Sequence, residues 1–365
     1  MTSEKGINPE SPTVGQIIFE LWRKLGMTTI FSNPGSTEVP LLRHMPGDFD
    51  FVLGLHEASV VGMATGYALA TQIPALALLH TTAGLGNAVG AIATARVNKA
   101  PLVITIGQQD RRHLINNPFL AGELKDLAGK YPLSVYEPIL ARDVPTLMAR
   151  AWQQARSRNG PALVIVPMDD WDYLSDDPIL ATPLEIEPAR IQTEQGVEKL
   201  IQMISNSSTP ALVVGADADD PDSWRSLTEL ADKLNSPVFQ EAFGARAGFP
   251  QDHPLFAGHL PSGRAKLREV LSDYDLILAV GAPAFRQYPF EDGPFVQRGT
   301  KIAVVGDDIS VLQSSTADLA VLGAISDICS QVARIIETRF GLPPQDLKSS
   351  KTGDSSKTSG GKCVR

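Results

Sequence analysis

The sequence predicts an α/β protein made of two doubly wound, mainly parallel-sheet domains followed by a disordered tail. Continuous apolar strands alternate with helical patterns, which marks strands buried on both faces of a parallel sheet. A stretch rich in Asp and Pro, around DDWDYLSDDP, interrupts that alternation near mid-chain and reads as an interdomain linker. At 365 residues the chain also exceeds what one hydrophobic core ordinarily organises.

The segment TVGQIIFELWRKLG, from Thr13, reads as a helix: Thr13 and Gln16 form a capping box, Ile17, Ile18, Leu21 and Leu25 make a stripe, and Gly26 closes it. A strand at 28–31 runs into NPGS and a helix, then an apolar stretch at 51–55 and a small-residue helix through Ala58, Gly62, Gly66 and Ala70. The strand at 75–79, the turn HTTAG, a second small-residue helix to about Asn98 and the strand at 102–106 follow. A helix at 144–156 and a strand at 162–166 complete a first domain spanning 12–175, with the linker at 176–190. The second domain, 191–340, takes helices at 196–205, 223–234 and 326–340 and strands at 211–214, 238–239, 276–280 and 301–305. Residues 341–365, rich in Ser, Lys, Gly and Thr, have almost nothing to bury and are expected to be a disordered, solvated tail.

A hydrophobic fraction of 43% and a charged fraction of 20% are those of a globular protein. The net charge of −9 repels phosphate backbones and anionic membranes, so neither nucleic acid nor membrane is an expected partner. Met1 to Pro12 is polar without a signal-peptide core, and no apolar run approaches eighteen residues, which predicts a cytoplasmic protein. Cys329 in an apolar helical pattern and Cys363 in the tail have no metal-ligand spacing and read as a packed and an exposed thiol.

Chemistry is expected at the carboxyl ends of the first domain's strands. There, polar residues interrupt apolar runs in NPGST (33–37), LHEAS (55–59) and HTTAGLGNA (80–88). With GQQ (107–109) and PMDDWD (167–172), these segments resemble the pyrimidine-binding domain of thiamine-diphosphate-dependent enzymes, within which benzoylformate decarboxylase is the nearest pattern. SPVF, HPLFAGHLP and VGAPAFR resemble the middle domain of the same family, so the likeness runs over roughly residues 12–340.

The resemblance implies thiamine diphosphate as cofactor and a 2-oxo acid or aldehyde as substrate. It makes Glu57 the carboxyl that hydrogen-bonds N1′ of the aminopyrimidine and favours its imino tautomer. That role needs a dry setting in which the pKa rises, and the apolar flanks of Glu57 predict one. By position alone Glu57 would instead complement a helix dipole. His80, within the family's LHxxAGxGN pattern, becomes the proton donor and acceptor for decarboxylation and aldehyde release, a task suited to imidazole. Ser36 matches the serine that contacts the substrate carboxylate, and it also reads as a helix cap. Asn33, Pro34, Gly35, Gly84 and Asn87 complete the expected cofactor-binding set, with Gly84, Gly86 and Gly90 allowing close approach to a ligand. Gln108 and Gln109 read either as polar lining or as structural hydrogen-bonding groups. In the family the faces that correspond to the small-residue helices meet across a dimer interface that houses the site, so the resemblance implies a homodimer or tetramer.

Two departures qualify the resemblance. Tyr288 stands where benzoylformate decarboxylases carry a second active-site histidine, and tyrosine is a poor proton shuttle near neutral pH. The GDG motif with its downstream Asn, which supplies magnesium ligands for the diphosphate, is absent, so Mg2+ is expected with the cofactor but its ligands are not in this sequence. The expectation is therefore a thiamine-diphosphate-dependent decarboxylase or carboligase that is truncated or uses a separate diphosphate-binding domain. The alternative is a non-catalytic binding or oligomerisation module keeping the fold. The middle domain's strand ends VVGADADD and VVGDD lack a dinucleotide glycine fingerprint, which leaves that domain as scaffolding rather than a nucleotide site.

Overall fold

The computed structural model describes residues 11–175, 194–288 and 290–340, the last four as backbone only. The chain divides into two compact units, 1–187 and 188–365. The expected linker at 176–190 and the tail at 341–365, with Cys363, lie outside the described residues.

The first unit runs α1 (Val14–Lys24), β1 (Thr29–Asn33), α2 (Val39–Leu42), β2 (Asp50–Leu53), α3 (Glu57–Thr71), β3 (Ala75–His80), α4 (Thr81–Val97), β4 (Leu102–Gln108), β5 (Ser134–Tyr136), α5 (Val144–Arg158) and β6 (Pro161–Pro167). Helix α1 starts at the expected capping box: Thr13 Oγ1 accepts from the Gln16 N–H and Gln16 Oε1 accepts from the Thr13 N–H. It ends before Gly26, whose φ of +76° is the left-handed conformation glycine tolerates.

The strands form one parallel sheet in the order β2-β1-β3-β4-β6-β5. Strand side chains alternate between faces. Leu76 and Leu78 pack with Ile18, Leu21 and Trp22 of α1, while Ala77 and Leu79 pack with Val60, Ala64, Leu85 and Ile92 of α3 and α4. Between β1 and β3 the strand order reverses, and this is where a doubly wound sheet opens a crevice at its carboxyl edge.

The second unit runs α6 (Glu194–Ser205), β7 (Pro210–Val214), α7 (Pro221–Leu234), β8 (Val238–Gln240), β9 (Phe256–His259), α8 (Arg264–Val270), β10 (Leu276–Val280), β11 (Lys301–Gly306), α9 (Ile309–Ser314), β12 (Leu319–Leu322) and α10 (Ile325–Phe340). Its sheet is also parallel, in the order β12-β11-β10-β7-β8-β9. Leu212, Val214, Leu278 and Val280 bury one face and Ala211, Val213, Ile277 and Ala279 the other. Cys329 is buried on α10, and burial pushes its thiol up to about 12, so it is a packing residue. Among the described residues no helix is long and apolar enough to cross a membrane.

Candidate active site

Asn33 ends β1, His80 ends β3 and Glu57 opens α3, so the carboxyl edge of the sheet brings three segments distant in sequence together. Glu57 is 6% exposed. Its Oε1 accepts from Asn33 Nδ2 at 3.0 Å and its Oε2 from Asn87 Nδ2 at 3.0 Å. The dry setting is as expected, but the direction of the pKa is not. Burial pushes it up, yet donation by Asn87, by the residue's own backbone N–H and by Asn33 outweighs burial and holds the carboxyl below its ordinary value. The amides that grip Glu57 favour its charged form, an effect that the apolar flanks in the sequence do not reveal.

The helix-dipole position also holds, because Glu57 is the first residue of α3, whose cap is the His56 side chain accepting from the Ala58 N–H. Gly84 lies tight against this group: a Cβ there would sit 3.2 Å from the Leu79 carbonyl carbon and 3.6 Å from Glu57 Cγ. Gly86 and Gly90 differ from Gly84, since a Cβ on either would meet nothing within 4 Å. They face open space on α4. Gly62 and Gly66 on α3 are open in the same way.

His80 is held from one side. Its Nδ1 lies 2.9 Å from Thr37 Oγ1 and 3.1 Å from Glu38 Oε2. Glu38, 4% exposed, accepts from the Gly35 N–H at 2.7 Å on Oε2 and from the Thr37 hydroxyl at 2.5 Å on Oε1. Two glycines make room for the arrangement. A Cβ at Gly35 would run into the His80 ring, and one at Gly107, at the end of β4, into Glu38 Oε1 and Thr37 Oγ1. Thr81, next to His80, is fully buried with φ +43°, a strained conformation for a β-branched residue. The histidine therefore sits on a turn that the surrounding packing imposes.

Glu38 reads in the sequence only as the start of a helix, and Thr37 closes the NPGST segment without a role of its own. The glycines at the ends of the two strands that flank β3, Gly35 after β1 and Gly107 in β4, were the available signal. Ser36 is exposed, and α2 has no side-chain cap, so the capping reading of Ser36 fails: the residue next to the helix is Glu38, and its carboxylate turns back to the Gly35 N–H instead. Pro34 is exposed beside it. Gln108 is structural, its Nε2 donating to the Gly122 carbonyl at 2.8 Å and its Oε1 accepting from the Gln109 N–H at 2.9 Å. Behind the site Arg111 donates to buried Asp170 at 2.6 Å and to the Pro138 carbonyl at 3.0 Å, tying the loop after β4 to the end of β6.

In the second unit, Tyr288 is 87% exposed. The corresponding crevice there, between the ends of β7 and β10, is filled by backbone. A Cβ at Gly215 would collide with the Gly281 carbonyl and Ala282, and one at Gly281 would lie 2.6 Å from the Ala218 nitrogen.

Residues 12–127 match the family described as "Thiamine pyrophosphate enzyme, N-terminal TPP binding domain", and residues 197–332 match "Thiamine pyrophosphate enzyme, central domain". With its two parallel sheets and these matches over more than half of its length, the chain belongs to the thiamine-diphosphate-dependent enzyme family. Within it, the chain is 38% identical over 303 residues to benzoylformate decarboxylase of Pseudomonas aeruginosa, a match covering 81% of this chain and 57% of that one. Among solved structures it is similar to the thiamine diphosphate-dependent 4-hydroxybenzoylformate decarboxylase of Rhodococcus jostii RHA1, with TM-score 0.83 and 34% identity over 92% of this chain and 64% of that one. It is likewise similar to benzoylformate decarboxylase of Polynucleobacter necessarius, with TM-score 0.83, 36% identity, and coverage of 88% and 61%. The chain thus spans under two thirds of the length of these relatives.

Proposed function

We propose that the chain provides the pyrimidine-binding half of a thiamine-diphosphate site serving a 2-oxo acid decarboxylase or carboligase of the benzoylformate decarboxylase type. The observation that carries this reading is the Glu57 carboxylate, buried at the switch point of the sheet and held by Asn33 and Asn87. A carboxylate so placed fits a ring nitrogen that must be hydrogen-bonded away from water, because each oxygen keeps a lone pair after accepting from an amide. Bound thiamine diphosphate supplies a nucleophilic thiazolium carbon and an electron sink for the departing carboxylate. Glu57 holds or yields a proton at the pyrimidine, His80 handles the proton of the aldehyde product, and Ser36 orients the substrate carboxylate. Asn33, Pro34, Gly35, Gly84 and Asn87 shape the floor.

The GDG motif and its downstream Asn, the magnesium ligands that the resemblance implies, are not among residues 1–365. On this reading the Mg2+ and diphosphate are therefore held by a domain outside these residues, on the same or a separate polypeptide. The open faces of α3 and α4 at Gly62, Gly66, Gly86 and Gly90 support a homodimer or dimer of dimers. Calorimetric titration of thiamine diphosphate with Mg2+ into the chain, alone and mixed with a diphosphate-binding domain from a relative, tests the proposal. Heat in the mixture that disappears with Glu57→Gln is expected. A folded chain silent in both settings leaves the non-catalytic module as the reading.

A further inference from the structure

We infer that Glu38 and Thr37 are positioning residues that fix neutral His80 as the Nδ1–H tautomer and so present a bare Nε2 as the acid–base atom of the site. The inference deepens the reading of His80 as the proton-handling group and rests on it only for the use made of Nε2.

Proton bookkeeping gives the assignment. Thr37 has one hydroxyl proton, and its 2.5 Å approach to Glu38 Oε1 commits that proton to the carboxylate. Towards His80 Nδ1, 2.9 Å away, Thr37 offers only a lone pair. Glu38 Oε2 already accepts from the Gly35 N–H at 2.7 Å and also offers a lone pair to Nδ1 at 3.1 Å. Two oxygen acceptors therefore converge on one ring nitrogen in a buried setting. A bare Nδ1 would set three lone pairs against one another, whereas an N–H there satisfies both oxygens, and the bond made by one ring nitrogen sets the protonation of the other. The rest of the cradle admits no simple rearrangement, since Gly35 and Gly107 have no room for a Cβ beside the ring and the carboxylate. A histidine free in water prefers the opposite tautomer, with the proton on Nε2, so the cradle inverts the intrinsic preference. The consequence for the reaction class is directional: neutral His80 can accept a proton through Nε2 without first moving one.

Long-range 1H–15N correlation on the histidine-labelled full chain reads the tautomer without cofactor or turnover. The spectrum is recorded about 2.5 pH units above the ordinary imidazole value near 6.5. The chain has six histidines, and the spectrum of His80→Gln identifies the His80 signals. The expected result is a protonated Nδ1 and a bare, downfield Nε2 in the native chain and in Thr37→Val, where Glu38 alone still accepts. In Glu38→Ala the proton is expected to move to Nε2, because the anion is gone and the Thr37 hydroxyl is free to donate to Nδ1. A native spectrum dominated by Nε2–H overturns the inference, as does a folded Glu38→Ala variant that keeps Nδ1–H. Such a native result would mean that the Thr37 hydroxyl donates to His80 Nδ1 rather than to Glu38. Should Glu38→Ala not fold, the native and Thr37→Val spectra decide alone. An Nδ1–H ring in a chain that binds no thiamine diphosphate either alone or mixed with a diphosphate-binding domain sinks the cofactor reading and leaves the tautomer standing.

Discussion

Asn87, in the second turn of α4, donates its side-chain amide at 3.0 Å to Glu57, the first residue of α3, so the two small-residue helices are joined at the floor of the site by a bond to a carboxylate. Asn33 completes the grip from the end of β1. Replacing Asn87 by Leu leaves one buried carboxylate oxygen without its donor.

The expected cost of Asn87→Leu is about 1.5–3 kcal/mol at neutral pH, the range for a hydrogen bond to a charged group. Its pH dependence follows from the lowered pKa of Glu57. A carboxyl whose folded pKa lies below its unfolded value stabilises the fold above the unfolded value and loses that contribution as pH falls through the folded one. The gap between native and variant in urea unfolding should therefore be full at pH 7 and narrow below the ordinary glutamate range. A gap that is unchanged or wider in acid would show that Asn87 does not act through the charge of Glu57.

Arg111 and Asp170 give a prediction of opposite sign. Asp170 is 2% exposed, and burial raises its pKa despite the Arg111 guanidinium at 2.6 Å. Arg111→Met strands that charge, and breaking a buried pair on one side costs roughly 3–5 kcal/mol. A carboxyl raised in the fold favours the native state below its unfolded pKa and loses that advantage as pH rises through the folded one. Arg111→Met should therefore be weakest at neutral pH and regain stability towards pH 4, while Arg111→Met/Asp170→Asn should recover most of the loss at pH 7. Thermal unfolding across that range checks both statements.

Sheet centres were legible in the sequence, and three of the four sheet edges were not. β1, β3, β4, β6, β7, β10 and β11 carry apolar residues on both faces, so their runs stand out without alternation. β5, β9 and β12 are edge strands of three or four residues with half-exposed side chains, and β9 is broken by Gly258 at φ +100°. The fourth edge, β2, was read but too far: Leu55 is 88% exposed and follows the strand's end at Leu53. The same logic holds in the site. Asn33 and His80 end apolar strands and Glu57 follows one, so they can be seen in the chain, whereas Glu38 and Thr37 reach the site through contacts with a histidine over forty positions away.

Gly107 and Gly86 separate a cradle glycine from an open one. Alanine at 107 would press into Glu38 and Thr37, and overpacking of this kind costs about 1–3 kcal/mol. Alanine at 86 meets nothing within 4 Å of its Cβ and should raise stability by roughly 0.5–1 kcal/mol through helix propensity alone. That gain belongs to the isolated chain. If α4 packs on a second copy across its open glycine face, the added methyl lands in an interface, and close helix approach is what small residues permit there. Gly86→Ala should then be more stable than the native chain at high dilution and less associated at high concentration. Sedimentation velocity over a concentration series, run beside thermal unfolding, checks both. Native self-association that Gly86→Ala leaves untouched would remove α4 from the interface, and with it the support that the open glycines lend to a site shared between subunits.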